Sequence, residues 1–477
     1  MQIKDGGFIT YGHSSSTDIE GLPNKGETDA NEGYDGSEVT ITFYHTMGQN
    51  LRDVLDLYIV EFNKLYPNIT IEHEQVGGYD DVRSQISTEL TAGESPNIAY
   101  CYPDHVAMYN AANAVQTLDG FIASEVEVER EDGTTERLGL TDAQINDFIK
   151  GYYDEGKQFG DGKMYSMPFS KSTEVLYYNK TFFTEHNIPL PTHWFSTDEN
   201  DKTSMEAVCK LIKSIDSKSI PLGYDSESNL FITMCEQLGS PYTSATGENF
   251  LFNNATNKDF CKKFRTWYDN AWMTTQELYG SYTSGLFVNQ DASKPKSYMS
   301  IGSSAGATHQ RPAKVDGGVF NGYPFEVGIA PIPQVDANNK KVISQGPSVC
   351  IFQKENPQEV IASWLFVKYL TTSVEFQAEF SMASGYVPVL KSVGQNEAYA
   401  DFLAKADGGN YISALSAKVC LDQEEAYYTS PAFNGSSTAR DQVGGLIVKC
   451  LPYTGSDVDA FIDQAFQAAI DECEYNY

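Results

Sequence analysis

The segment at residues 168–180, PFSKSTEVLYYNK, brings together residue types that bind small polar solutes. Hydroxyls at Ser170, Ser172 and Thr173 can donate hydrogen bonds to ligand oxygens and accept them, although ordinary turns use the same residues. The strand-like run that follows ends in two tyrosines, whose rings and hydroxyls suit a polar ligand. The composition is typical of a chain that crosses between two lobes and lines the gap between them. Lys171 within it is expected to face solvent.

Two further residues stand where a strand gives way to a helix. Tyr79 follows the Gly77-Gly78 turn, where its ring can stack on a ligand or simply cap the turn. Asp104 follows the short strand NIAYCYP, and its carboxylate can accept two ligand hydroxyls at once. Aspartate is equally favoured as a helix N-cap, so the residues alone leave both roles open.

The remaining candidates end strands or stand in turns. Ser303 and Ser304 follow the strand-like YMSI and precede small residues that let a ligand approach the backbone. Gly346 offers a backbone N–H with no side chain in the way. Phe433 in SPAFNG is a stacking candidate, and His45 at the end of the first strand is a weaker one because lone histidines are usually structural. Each of these positions also has an ordinary turn or core explanation.

Alternating strand and helix patterns must position these groups. Residues 39–43 and 69–76 alternate like strands, and residues 97–103 form a third, short one. Between them, apolar residues recur at helical spacing at residues 51–65 and again at 82–90. This order predicts right-handed crossovers and a mostly parallel sheet covered on both faces. Ligands in such sheets bind at the carboxyl ends of the strands.

The charge of the chain excludes several classes of partner. The 477 residues include 65 acidic and 33 basic side chains, a net charge of −32. Such a field repels nucleic acid and anionic membrane surfaces, and it disfavours polyanionic ligands, although a local basic pocket can still hold one small anion. No HExxH or P-loop pattern occurs, and the eight cysteines show neither a CxxC pair nor metal-ligand spacing. We expect no metal and no cofactor, and cysteines that serve as small buried residues.

Two segments are predicted to lie outside the lobes. Residues 1–37 are rich in Gly, Ser, Asp and Asn, which predicts a disordered tether. Such a tether links the lipid-bearing cysteine of an exported lipoprotein to its folded body, so we expect a cell-surface lipoprotein at the outer face of the cytoplasmic membrane, with a signal that is not part of this sequence. Residues 122–140 carry an acidic hairpin around Asp132-Gly133, interpreted as surface decoration.

Several segments, taken in order, resemble one family. ITFYHTM, EFNKLYPNI, GGYDD, CYPDHVAMYNAANAVQTLDGF and PFSKSTEVLYYNK come first, and IGSSAGA, GPSVCIF and FVKYLTTSVEFQAEFSMASGYVPV follow. Together they resemble extracellular solute-binding proteins of the family-1 type, the capture components of ABC importers. The similarity is greatest to the branch that holds glycerol-phosphate binders and many oligosaccharide binders.

The resemblance implies an α/β fold with two lobes of the type II periplasmic-binding-protein kind. The ligand cleft lies between the lobes, which are joined by crossings near residues 168–172, 338–345 and 385–391. The first lobe is expected to comprise residues 38–170 and 346–385. The second is expected to comprise residues 171–345 and 386–477. Lobes interrupted in this way suit hinge closure.

The resemblance also implies roles for single residues. Tyr79, Ser172 and Tyr386 match positions that contact ligands in the family. Arg440 in STARDQ matches an arginine that binds phosphate in the glycerol-phosphate binders, while a surface helix charge is the equally ordinary interpretation. A monomer that delivers its ligand to membrane permease subunits is expected.

The leading hypothesis is a non-enzymatic binding protein for an oligosaccharide, which closes around the ligand and releases it unchanged. The 13% aromatic content and the hydroxyl-rich crossing favour it. Glycerol 3-phosphate or a glycerophosphodiester is the alternative ligand. A glycoside hydrolase acting through two carboxylates is the alternative from another class. A surface adhesin without a closing cleft is the third class of function.

Overall fold

The computed structural model describes residues 2–4, 8–10, 25–408 and 411–477, which form a mixed α/β structure. The strands are β1 (Gln2–Lys4), β2 (Phe8–Thr10), β3 (Val39–His45), β4 (Ile69–Gln75), β5 (Ile98–Cys101), β6 (Glu127–Glu129), β7 (Thr135–Arg137), β8 (Met167–Pro168), β9 (Glu174–Asn179), β10 (Leu222–Tyr224), β11 (Met273–Thr275), β12 (Met299–Ser303), β13 (Val327–Ala330), β14 (Val342–Ile343), β15 (Ser348–Ile351) and β16 (Tyr427–Tyr428).

The helices occupy most of the intervening chain. They are α1 (Gln49–Leu65), α2 (Tyr79–Thr91), α3 (Pro103–Asn110), α4 (Asp119–Ala123), α5 (Asp142–Asp147), α6 (Lys150–Glu155), α7 (Lys180–Glu185), α8 (Met205–Ile215), α9 (Glu227–Leu238), α10 (Ala255–Asp269), α11 (Gln276–Tyr279), α12 (Ser284–Phe287), α13 (Pro357–Thr372), α14 (Val374–Ser384), α15 (Glu397–Ala404), α16 (Ile412–Asp422), α17 (Ser436–Cys450) and α18 (Val458–Asn476).

The first sheet has the strand order β4-β3-β5-β15-β8. β3 runs parallel to β4 and β5, as the alternating pattern predicts, whereas β15 pairs antiparallel with β5 and with β8. Along β3 the side chains of Val39, Ile41, Phe43 and His45 alternate inward and are buried. The carboxyl ends of β4 and β5 lead into α2 and α3, so both helices begin at one edge of the sheet.

The second sheet has the order β11-β10-β12-β9-β13. β10 runs parallel to β11 and β12, and β9 runs antiparallel to β12 and β13. Helices α9, α10, α17 and α18 pack together beside this sheet. Helix α13 packs against β3, β8 and β15 of the first sheet, α14 packs against α1 and α13, and α16 packs against β9 and β13 of the second sheet. Of the elements after residue 386, α15 packs against α14 of the first lobe and α16 packs against the second sheet, and the assignment of this stretch to a single lobe stays a prediction.

Three crossing segments lie side by side between the sheets. Ser172 and Gln345 exchange backbone hydrogen bonds of 2.9 Å in both directions. Lys171 pairs in the same way with Val387, through N–H to carbonyl distances of 3.1 and 2.7 Å. The strand that leaves the first lobe is thus held between the two later crossings, near the positions predicted from the sequence.

The part of the tether at residues 25–37 is ordered, so its predicted boundary at residue 37 is too late. The backbone N–H groups of Thr28 and Asp35 donate to the side-chain amides of Gln116 and Gln358 at 2.8 and 2.9 Å. Ala30 is buried in the first core. Residues 1, 5–7 and 11–24 of the predicted tether lie outside the described residues, and β1 pairs antiparallel with β2.

The acidic hairpin β6–β7 is part of the first lobe rather than surface decoration. Glu136 accepts hydrogen bonds from the Tyr66 hydroxyl and from Lys368 Nζ, the latter at 2.9 Å. Arg130 lies 3.2 Å from the same carboxylate. Burial opposes ionisation of Glu136, but Lys368, Tyr66 and Arg130 outweigh it and lower the pKa. Glu136 therefore attaches the hairpin to the rest of the first lobe.

We expect Glu136→Gln to lower the free energy of unfolding by about 2 kcal/mol at neutral pH, because the buried ammonium of Lys368 loses its carboxylate. A lowered native pKa means that this stabilisation is complete above the ordinary value of 4.5 and is lost as the pH falls through the native pKa. The urea midpoints of the parent and of Glu136→Gln, measured between pH 7 and pH 3, should therefore converge as the pH falls. Glu125→Gln is the control, since Glu125 is 87% exposed and 3.9 Å from Arg137. A difference in urea midpoint between the parent and Glu136→Gln that stays constant across this pH range would contradict the stabilising role assigned to the Glu136 charge.

All eight cysteines lie in the described part of the chain, and each is buried with a free thiol. This confirms their prediction as buried residues. Among the described residues, no helix is both long and apolar enough to cross a bilayer, and no group of His, Cys, Asp and Glu side chains is arranged to hold a metal ion.

Candidate ligand-binding cleft

A cavity of about 770 Å³ lies between the two sheets. The first lobe contributes the beginnings of α2 and α3, and the second contributes the beginning of α17 together with residues 429–432 and Tyr242. The crossing at residues 343–345 passes along it. Its volume is in the range of ordinary ligand sites.

The start of α2 follows from the Gly77-Gly78 turn. Gly77 has φ +46°, and a Cβ there would lie 2.2 Å from Asp81 Oδ2. The Asp81 carboxylate instead accepts a hydrogen bond of 2.7 Å from the Gly78 N–H and closes the helix end. Tyr79 therefore begins the helix at the cavity wall.

The start of α3 brings an aromatic ring and a carboxylate to the same wall. Pro103 occupies the first helical position, where its missing N–H costs nothing. Tyr102 stands before it, and Asp104 follows it and lines the cavity. His105 accepts a weak hydrogen bond of 3.4 Å from the Tyr102 N–H. Burial lowers the pKa of His105 although Asp104 acts in the opposite direction, so the ring is neutral at pH 7.

Four tyrosines form a cluster on the first-lobe side. The Tyr79 ring lies 4.9 Å from that of Tyr102 in an edge-to-face arrangement and 6.3 Å from that of Tyr100. The hydroxyls of Tyr79 and Tyr386 are 3.2 Å apart. Burial raises the pKa of each phenol, so all four are neutral donors and acceptors.

The second lobe presents the beginning of α17. Arg440 lines the cavity, and its guanidinium donates to Asn229 Oδ1. The Asn229 amide in turn donates to Glu174 at 2.7 Å, and the Tyr224 hydroxyl donates to the same acid at 2.5 Å. Burial raises the pKa of Glu174 to about 7, although both hydrogen bonds act against the shift. This series of buried hydrogen bonds holds the Arg440 side chain at the cavity wall.

A buried ion pair joins the cavity to the hinge. The Lys171 ammonium bonds Glu155, whose side chain lines the cavity. It also donates at 3.0 Å to the Gly346 carbonyl and to Ser348 Oγ. The Lys171 side chain is 0% exposed. The expectation that it faces solvent is wrong, because the crossing strands enclose it.

Contacts between the lobes close parts of the cavity rim. Ser437 Oγ of the second lobe donates to Asp104 Oδ2 of the first at 2.5 Å. Farther along, the Ala432 N–H donates to the Gln158 carbonyl at 2.7 Å. The two lobes are therefore in contact in this conformation, and a ligand would be enclosed between them.

The structure brings several of the sequence-predicted residues together. Tyr79, Asp104 and Arg440 line the cavity, and Tyr386 touches Tyr79 beside it. Ser172 is buried at the crossing, where it pairs with the cavity-lining Gln345 through the backbone. These five positions stay predicted ligand contacts, with Ser172 acting through its neighbour.

Others lie elsewhere, for physical reasons that do not support a ligand role. His45 is the last inward-facing residue of β3 and bonds His73 at 2.8 Å; burial lowers its pKa to about 3. Phe433 packs against Phe250, with ring centroids 5.7 Å apart. Ser303, Ser304 and Gly346 belong to the hinge and its surroundings. Ser303 caps the short helix Ser304–Gln310, and Ser304 Oγ accepts a hydrogen bond from the Thr173 N–H. The Gly346 carbonyl accepts a hydrogen bond from the Lys171 ammonium.

Sequence reasoning missed some of the lining. Tyr102 and Asp441 are neighbours of predicted residues, and the start of a helix after a strand or turn was the signal that could have found them. Ser436 and Ser437, which were also not predicted, stand at the start of α17 and carry the same signal. Tyr242 and Glu155 carry no such signal, because only the tertiary fold brings them to the cavity.

Sequence relatives match part of the chain. The sn-glycerol-3-phosphate-binding periplasmic protein UgpB of Shigella dysenteriae serotype 1 (strain Sd197) is 30% identical over 144 residues. That alignment covers 30% of this chain and 30% of the relative, so the similarity spans less than a third of either protein.

Solved structures match nearly the whole fold. The cyclic alpha-maltosyl-1,6-maltose binding protein from Arthrobacter globiformis covers 92% of this chain at a TM-score of 0.68 and 18% identity, and the match takes in 100% of that chain. UgpB from Mycobacterium tuberculosis, in complex with glycerophosphocholine, covers 91% at a TM-score of 0.65 and 15% identity, with 98% of that chain matched. At these identities the likeness concerns the fold, and it confirms the predicted two-lobed α/β class.

The family profile described as bacterial extracellular solute-binding protein matches residues 58–406, well over half of the chain. The matched range includes the second sheet, the crossings and the strands of the first sheet other than β3. The chain belongs to the family of bacterial extracellular solute-binding proteins.

Proposed function

We propose that the protein captures an oligosaccharide in the cleft between its lobes and delivers it to the permease subunits of an ABC importer. One observation carries the proposal: a cavity of about 770 Å³ walled by tyrosines on one side and by carboxylates and small hydroxyls around them. Sugar rings have apolar faces that stack on aromatic rings, and their hydroxyls bond carboxylates. The curated relatives and similar structures include binders of maltose-type sugars and of glycerol phosphates.

The size and charge of the cavity favour a sugar over a small phosphate ester. A three-carbon phosphate needs far less room than this cavity has. Glu155 is paired with Lys171, but the four other lining carboxylates, at residues 80, 81, 104 and 441, outnumber the two lining arginines, at residues 83 and 440, and this excess opposes an anion. A neutral chain of several sugar units fills such a space and uses the carboxylates as acceptors.

Titration calorimetry of the purified chain against a panel of oligosaccharides and glycerol phosphates tests the proposal. We expect binding by at least one oligosaccharide, and we expect Tyr79→Ala to weaken it at least about tenfold, as for a buried aromatic contact. Tyr282→Ala is the control, because Tyr282 is 65% exposed and lies outside the cavity. Tight binding of glycerol phosphates with no binding of any glycan would contradict the proposal.

Glycerol 3-phosphate or a glycerophosphodiester is the second candidate, and Arg440 is the observation that favours it. Its guanidinium is held at the cavity wall, where it suits a phosphate. The same calorimetry with Arg440→Ala discriminates the two ligands. Loss of glycerol-phosphate binding in the Arg440→Ala variant would support a phosphate ligand held by Arg440. Full retention of glycerol-phosphate affinity in this variant would exclude that role of Arg440.

The other expectations follow from this function. We propose an extracellular location with a lipoprotein tether and a monomer that closes on its ligand. Small-angle scattering with and without ligand tests closure, and an adhesin would show no compaction. Release of reducing sugar by a pure sample would favour a glycoside hydrolase instead.

A further inference from the structure

Tyr242 is a buried residue whose polar end faces the ligand cavity. Its side chain lines the cavity, and only 6% of the residue is exposed. Within the described part of the chain its hydroxyl forms no hydrogen bond, and the oxygen keeps accessible surface. Because the second lobe encloses the rest of the residue, this oxygen is directed into the cavity. Burial raises the pKa of the phenol, so the hydroxyl remains a hydrogen-bond donor at pH 7.

The second lobe fixes the position of this tyrosine. The Tyr242 carbonyl accepts a hydrogen bond of 2.9 Å from the Leu251 N–H. The carbonyl of the preceding Pro241 accepts one of 3.1 Å from the Asn257 side chain. The Tyr242 ring packs against the fully buried Phe252, with ring centroids 6.3 Å apart. The hydroxyl is therefore held in place before any ligand enters, which lowers the entropic cost of a bond to it.

Apolar side chains form part of the same cavity wall. Ile232 of α9, Ile343 of the second crossing and Ala432 line the cavity, and all three are buried. Ile232 and Ile343 belong to the same hydrophobic core cluster as Tyr242. A sugar hydroxyl turned towards these side chains would lose its hydration without gaining a partner, which is unfavourable. This wall therefore suits a carbon substituent of a sugar better than a bare hydroxyl.

The first lobe supplies a hydrogen-bond acceptor to this space. Asp104 lines the cavity and uses its Oδ2 for Ser437, so its Oδ1 can accept a bond from a ligand. Burial opposes ionisation of Asp104, but neighbouring positive groups and Ser437 outweigh it and lower the pKa, so the group is a carboxylate at pH 7. Burial is the main cause of the raised Tyr242 pKa, and the Asp104 charge adds to it. The two side chains are therefore within electrostatic reach of each other.

We propose that the ligand is a neutral oligosaccharide that carries an acetamido group, and that Tyr242 is the residue that selects it. The inference rests on the proposed oligosaccharide function and adds the substituent of the sugar to it. The acetamido methyl group packs against Ile232 and Ile343. Its carbonyl oxygen accepts a hydrogen bond from the Tyr242 hydroxyl, and its N–H donates to Asp104. A hydroxyl or an ammonium group in the same place provides neither the methyl group nor the carbonyl oxygen.

Titration calorimetry of the full chain with matched sugars tests this inference. The probes are glucose, glucosamine, N-acetylglucosamine and N-acetylgalactosamine as monosaccharides, together with the β-1,4-linked trisaccharides of the first three. We expect an N-acetylated probe to bind at least about tenfold more tightly than its glucose or glucosamine counterpart, because it adds a buried methyl group and two hydrogen bonds. The difference from glucose should be nearly independent of salt, because neither probe is charged.

The variant Tyr242→Phe separates recognition from packing. It keeps the ring and removes only a hydroxyl that bonds no described residue, so the urea midpoint should stay unchanged. We expect its affinity for the N-acetylated probe to fall about three- to tenfold, and its affinity for sugars without the acetamido group to change less than about twofold. Tyr282→Phe is the control, because it removes an exposed hydroxyl outside the cavity and should change neither affinity.

The outcomes distinguish the inference from the proposed function. Equal binding of the N-acetylated and glucose probes, or binding of another glycan without binding of either N-acetylated sugar, would overturn the inference and leave the proposed function standing. A ratio of N-acetylated to glucose affinity that Tyr242→Phe leaves unchanged would show that this hydroxyl does not select the ligand. If no glycan binds, the inference and the proposed function both fail.

Discussion

Replacing Lys171 by alanine is expected to lower the free energy of unfolding by about 3–5 kcal/mol, because it leaves the Glu155 carboxylate buried without its counter-charge. Both side chains of this pair are almost inaccessible, at 0% and 2% exposure. The ammonium also bonds the Gly346 carbonyl and Ser348 Oγ, so its loss leaves two further acceptors unpaired. Ser348 Oγ, 3.0 Å from Glu155, can donate only one hydrogen bond to the abandoned charge.

Urea unfolding of the variant and two controls measures this effect. Lys150→Ala removes an exposed lysine from the same helix as Glu155, where its pair with Asp154 is worth only about 0.5 kcal/mol. Lys171→Met combined with Glu155→Gln removes both charges and should recover most of the loss, since a buried ion pair is close to neutral against uncharged residues of similar size. Equal losses for Lys171→Ala and Lys150→Ala would show that the buried pair is not a stabilising element.

The pair also links the crossing strands to the cavity. Lys171 belongs to the first crossing, Gly346 follows the second, and Glu155 faces the ligand space. Closure of the lobes must change backbone angles at these crossings. We infer that the ion pair keeps the crossings in register while they bend, and that its loss weakens ligand binding as well as stability.

Local periodicity explains why the first lobe was predictable. Val39, Ile41 and Phe43 alternate inward along β3, and the next apolar residues recur at helical spacing along α1. The same pattern placed β4, α2 and β5, so the positions of Tyr79 and Asp104 at strand-to-helix junctions followed directly. The burial of His45 obeys the same alternation, which extends two residues beyond the predicted strand.

Long-range packing explains what was not predictable. Lys171 and Glu155 are 16 residues apart, and nothing local distinguishes this lysine from an exposed one. Phe433 stands in a turn that suits a ligand contact, yet Phe250, far away along the chain, packs over it. The hairpin at β6–β7 is mostly charged in sequence, but Lys368 of α13 pairs with its half-buried Glu136. In each case a partner remote in sequence decides the role of the residue.

Replacing Gly346 by alanine is expected to lower the free energy of unfolding by about 2–4 kcal/mol, from backbone strain and overlap together. Gly346 has φ +88°, which side chains rarely tolerate. A Cβ there would lie 2.5 Å from the Ser170 carbonyl oxygen and 2.8 Å from Lys171 Cα. Both neighbours are backbone atoms of the first crossing, so neither can rotate away.

Gly445→Ala is the matched control for this change. It makes the same substitution in the interior of α17, where a Cβ meets nothing within 4 Å. Alanine is favoured over glycine by about 0.5–1 kcal/mol inside a helix, so this variant should become more stable. Urea midpoints that move in opposite directions for the two variants would show that the second crossing requires glycine for its conformation. A Gly346→Ala protein as stable as the parent would contradict that requirement, and the crossing would then bend without the close contact between Gly346 and Ser170.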